Sequence, residues 1–84
     1  MYFMATGVFT DRSKLGPLLQ AERDKLHELQ RGGVVPNAYY RPDGGGVVLI
    51  LQVPNVEKAH RRMGELPFVK VGLLVFEFVE LVPL

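Results

Sequence analysis

The stretch from Val69 to Leu84 constrains this chain more than any other, because it is apolar on both of its faces. At a strand's period of two, one side carries Val69, Val71, Leu73, Val75, Val79 and Leu81. The other side carries Leu74, Phe76, Phe78 and Val82, and the only acids are Glu77 and Glu80. Such a strand needs cover from two directions, and a chain of 84 residues holds enough helix for one. A second copy of the chain is the most economical cover for the other. Periodicity does not decide which of Glu77 and Glu80 faces the enclosed side.

The rest of the sequence reads as alternating strands and helices. Tyr2 to Phe9 forms the first strand, with Gly7 marking a bulge or a close backbone approach. Ser13 is placed to cap a helix from about Lys14 to Arg31, which Gly32-Gly33 ends. Its apolar stripe is Leu15, Leu18, Leu19, Leu26 and Leu29. Val34 to Arg41 reads as the second strand, and the run from Pro42 to Gly46 as a hairpin turn. Val47 to Val53 reads as the third strand. Asn55 caps a shorter helix from Val56 to about Gly64, and Leu66-Pro67-Phe68 connects it to the last strand.

The order βαββαβ, joined by right-handed crossovers, predicts a single α+β domain over residues 1–84, ferredoxin-like, with an antiparallel sheet. Both helices then cover one sheet face. Two bare faces packed together give a dimeric α+β barrel, so a homodimer or higher homo-oligomer is expected.

Composition removes several kinds of function. Lys plus Arg number 10 against 9 for Asp plus Glu, and Arg23, Lys25 and Arg31 are interleaved with Glu22, Asp24 and Glu28. No basic stripe emerges, so no nucleic-acid partner is expected; Arg61-Arg62 reads as a solvated helix face. There is no cysteine, which removes thiolate metal sites and thiol nucleophiles and fits a cytoplasmic location. No segment reaches the ~18 apolar residues of a membrane span. Met1-Tyr2-Phe3-Met4 lacks the basic start of a secretory signal and reads as the opening of the first strand.

Glu22 is the leading chemical candidate. It falls in the middle of the stripe made by Leu15, Leu18, Leu26 and Leu29, so it points inward. Burial would raise its pKa and suit it to proton transfer near neutrality. The alternative is a structural ion pair with Arg41 or another cation. Asn37, Tyr39 and Arg41 share one face of the second strand, where they would line a polar-tipped pocket or merely rim a sheet edge. Arg41 carries a guanidinium fork suited to a carboxylate. His60 lies beside the apolar stripe of Val56, Ala59 and Met63, a position typical of packed boundary residues. Neither His60 nor His27 has metal-ligand spacing, and no metal or other cofactor is implied. Gly44-Gly45-Gly46 joins two strands rather than opening a helix, so it is a turn and not a phosphate cradle.

Glu22 followed by Glu28-Leu29-Gln30-Arg31-Gly32-Gly33, then Tyr40-Arg41-Pro42-Asp43-Gly44, resembles the first half of the muconolactone delta-isomerase family. Leu66-Pro67 and the terminal Glu80-Leu81-Val82-Pro83-Leu84 continue the resemblance. It implies an oligomeric α+β barrel that moves a proton within an unsaturated lactone during aromatic compound catabolism. Departures accompany it: Leu19 stands where that family has a lysine, and the third strand lacks the family's polar residues. Pro67 to Leu73 is also similar to the YCII-related family of dimeric barrels. That family's proposed histidine and aspartate fall on Glu22 and Leu66 here, so its pair is absent.

Two readings of function follow from the sequence. One is a cofactor-independent isomerase or lyase acting on a small cyclic substrate, lactone or aromatic-derived. In it Glu22 would be the proton shuttle, Arg41 would hold a carboxylate or enolate oxygen, Tyr39 and Asn37 would bind substrate, and His60 is an outside candidate. The other is a non-catalytic module that binds a small apolar ligand or serves oligomerisation.

Overall fold

A computed structural model describes all residues from 1 to 84. Strand β1 (Tyr2–Phe9) leads through two short 3-10 turns (Arg12–Lys14 and Gly16–Leu18) into helix α1 (Leu19–Arg31). Strands β2 (Asn37–Tyr40) and β3 (Gly46–Gln52) form the hairpin, followed by α2 (Val56–Met63), a single helical turn α3 (Pro67–Lys70) and β4 (Leu74–Leu81). The sheet order is β2-β3-β1-β4, and every neighbouring pair is antiparallel. β1 and β2 are therefore parallel with β3 between them, the split βαβ arrangement of the ferredoxin-like fold expected from the sequence.

Register divides the sheet into two unlike faces. Phe3, Ala5, Leu49, Leu51 and Leu74 are buried on the face that α1 and α2 cover with Leu29, Ala59 and Met63. The opposite face is open. Val8, Val75, Val79 and Tyr39 are each about half exposed there, with Met4, Val48 and Ile50 between them. Glu77 lies on this open face opposite Thr6, whereas Glu80 pairs with Phe3 on the helix side and is exposed near the strand's end.

The starts of three elements differ most from the sequence reading, each for a backbone reason. The long helix starts at Leu19 rather than Lys14, because Gly16-Pro17 breaks the segment into 3-10 turns. The cap of the first turn is Asp11, whose Oδ1 accepts the Ser13 N–H at 3.1 Å; Ser13 is the donor there, not the cap. β2 starts at Asn37 because Pro36 has no N–H to give the ladder, although the Val34 carbonyl still accepts the Gln52 N–H. The last strand starts at Leu74. Pro67 suits the first turn of a helix, and Gly72, at φ 76°, reverses the chain, so Val69 and Val71 are not part of β4.

Gly46 pairs with Val8 and Gly7 with Val47, so the two glycines are diagonal neighbours where β1 and β3 meet at the end of the sheet nearest the hairpin. A Cβ on Gly46 would collide with the Gly7 carbonyl oxygen, and backbone cannot move aside cheaply. A Cβ on Gly7 would sit 2.7 Å from the Phe76 ring. Gly46→Ala should therefore cost on the order of 3 kcal/mol, at the upper end of overpacking effects, read as a fall in the urea midpoint.

Candidate functional site

Between α1 and the covered sheet face lies a cavity of about 260 Å³. α1 presents Leu19, Glu22, Arg23 and Leu26 to it, the i, i+3, i+4, i+7 positions that share one helix face. The sheet contributes Ala38, Val47, Leu49, Leu74 and Phe76. Phe9, Leu15, Leu66 and Phe68 complete the lining, the Phe9 and Phe68 rings meeting edge to face with centroids 6.0 Å apart. Glu22 is the single carboxylate and Arg23 the single basic group among the lining residues.

Glu22 is only 9% exposed. Its Oε1 accepts the Phe68 N–H at 2.9 Å, and no cation pairs with it. Because Pro67 has no N–H, the Phe68 amide is the first donor of α3, and it holds the carboxyl directly. The Glu22 pKa lies above its ordinary value of 4.5, because burial penalises the charged form more than the Phe68 hydrogen bond favours it. A polar clasp on the outside ties α1 to the end of α2 and the connection that follows it. Lys25 bridges Glu28 and Glu65 at 3.3 Å each, and Arg62 reaches Glu65 at 3.1 Å.

The raised pKa gives stability a pH dependence of definite sign. Well below 4.5 the folded and unfolded chains both carry the Glu22 proton, and the group costs nothing. As pH rises the unfolded chain ionises first, so this group's contribution to stability falls until pH passes the raised folded value. The Tm of Glu22→Gln minus that of the wild type should accordingly be near zero at pH 4 and positive at pH 7, by calorimetry.

The other residues singled out in the sequence are dispersed. Tyr39 borders the cavity, but its strand position faces the open side opposite Val48. Asn37 lies on the open side opposite Ile50 and is exposed. Arg41 projects from the hairpin and is held by Asp43 at 2.6 Å, so the structure does not bring it to Glu22. His60 packs its ring against Phe78, centroids 4.5 Å apart, over a separate hollow of about 210 Å³ bounded by Met63, Val69 and Gly72. No three acids or histidines converge as a metal site would require. Arg23 and the Phe68 amide were not anticipated. Arg23 was legible one helical turn beyond Leu19, on the flank of the apolar stripe; the amide depends on the unforeseen turn α3.

No family model matches the chain, and no curated protein matches it in sequence. Among solved structures it is similar to 5-chloro-2-hydroxyhydroquinone dehydrochlorinase (TftG) from Burkholderia phenoliruptrix AC1100, determined in complex with 2,5-dihydroxybenzoquinone. The similarity has a TM-score of 0.79 and covers 98% of this chain and 94% of that one, at 17% identity. At that identity it speaks for the fold. No helix is long and apolar enough to cross a membrane.

Proposed function

We propose that the protein is a cofactor-independent small-molecule isomerase or lyase in which Glu22 moves a proton on a small cyclic substrate, lactone or aromatic-derived. The observation that carries this reading is a lone carboxyl, unpaired by any cation and with a raised pKa, bordering a cavity walled mostly by hydrocarbon. A purely structural acid at that depth would be expected to have a cationic partner. The ionised carboxylate takes a proton from a ring carbon made acidic by a neighbouring carbonyl. The resulting carboxylic acid returns it to another position, or to a departing group, and no net charge is left behind. A volume of about 260 Å³ suits a molecule of one ring. The likeness in fold to a dehydrochlorinase whose structure holds a one-ring quinone supports the substrate class.

The same proposal includes a homodimer formed through the open sheet face, as the muconolactone isomerase-like resemblance implies. Turnover tests the catalytic part. Purified protein is offered a panel of small unsaturated lactones and hydroxylated aromatics in deuterated water, and ring-proton exchange is followed by NMR. Exchange or isomerisation by the wild type that disappears in Glu22→Gln supports the enzyme. Equal exchange by the two proteins removes Glu22 from the chemistry.

The second reading, a non-catalytic ligand-binding module, draws on the scarcity of polar groups in the cavity. It predicts saturable binding of one-ring compounds with no exchange above the solvent rate.

A further inference from the structure

We propose that Arg23 is the specificity-determining residue of the cavity, selecting one-ring ligands that carry a negatively charged arm. The inference rests on the reading of the cavity as a substrate site. Arg23 lies on the cavity-facing side of α1, one turn from Leu19 and Leu26 and next to Glu22, and it is exposed, which places it at the mouth. It is the one cation among the lining residues.

Arg23 is also uncommitted. Its side chain makes no hydrogen bond and no ion pair within the chain. The neighbouring acid Asp24 is engaged by Gln20 at 2.9 Å. The hairpin cations are occupied: Arg41 binds the Asp43 carboxylate, and Arg12 donates to the Asp43 carbonyl at 3.1 Å. Among the residues lining the cavity, Arg23 is the one that carries a guanidinium, and its full fork is free for an incoming anion.

The interior dictates the orientation. A charged group cannot sit among Leu26, Leu49 and Phe76 without losing its water, and it would meet the Glu22 carboxyl there. The ring therefore goes inward, an oxygen on it reaches Glu22, and an anionic arm stays at the wet mouth against Arg23. Because that contact is exposed to water, it discriminates modestly, by about tenfold, and salt weakens it.

The test uses two probes that share a ring and a hydroxyl and differ in the arm: 3-hydroxyphenylacetate and 3-methylphenol. Each is titrated into wild type, Arg23→Gln and Arg41→Gln, following the Phe68 amide by NMR. The expected result is about tenfold tighter binding of the anion by wild type. The preference disappears in Arg23→Gln, where the neutral probe is unchanged, and persists in Arg41→Gln. A preference that survives in Arg23→Gln, or is absent from the wild type, overturns the assignment of Arg23 while leaving the substrate site in place. If neither probe moves the Phe68 amide, the assignment and the reading of the cavity fall together.

Discussion

Glu22→Gln is expected to lower turnover by about 10²–10⁴-fold, the usual worth of a positioned acid–base group, while raising Tm at neutral pH. The two effects have opposite signs for one reason. Glutamine has nearly the same shape, and its Oε1 still accepts the Phe68 N–H that Glu22 holds at 2.9 Å, so α3 stays in place. What disappears is a charge that the apolar cavity disfavours, and each unit by which the pKa had been raised returns about 1.4 kcal/mol above the titration range. A residue kept for structure would behave in the opposite way, losing stability on substitution. The pair of measurements therefore separates function from packing. A variant that lost both activity and Tm would point to a structural carboxylate, and one that kept its activity would exclude Glu22 from the reaction.

Val79→Glu is expected to break the homodimer proposed through the open sheet face, weakening association by at least about 100-fold. Val79 sits on the open face opposite Met4, two residues from Glu77 on the same side, and is 51% exposed in the single chain. Register gives that face no lysine or arginine. A new carboxylate would be buried beside an existing one, with no cation to offset either. A two-fold axis repeats each substitution, so a symmetric interface suffers it twice. The helix side is untouched, and the far-UV circular dichroism of the monomer should match the wild type. Sedimentation equilibrium of both proteins over about 1–100 μM reads the outcome. A wild type that is monomeric throughout that range would remove the sheet face as a homotypic interface.

Much of this architecture was legible because apolar period and turn residues agree locally. β1 follows from a run of aromatic and aliphatic residues ending at Thr10-Asp11, and α2 from Asn55, whose Oδ1 accepts the Lys58 N–H at 2.9 Å. Glu22 was found inward because its spacing from Leu26 and Leu29 survives whichever residue begins the helix. What escaped was set by backbone rather than by pattern. Pro67 and Gly72 convert the approach to β4 into a helical turn, although Val69 and Val71 keep a strand's alternation. That turn supplies the Phe68 amide, so the partner of Glu22 was hidden even though the acid itself was not. Arg41, one residue beyond the end of β2, was captured by Asp43 two residues away, a local pairing that a sequence-wide search for partners overlooks.

The measurement closest to the central claim is the titration of the Glu22 side-chain carboxyl by carbon-13 NMR in the unliganded protein. The account predicts a midpoint above the ordinary 4.5, moving further upward when a neutral one-ring compound fills the cavity and displaces water. A midpoint at or below 4.5 would mean that the carboxylate is well solvated or compensated by a cation, and Glu22 could not then serve as the proton carrier of an apolar site.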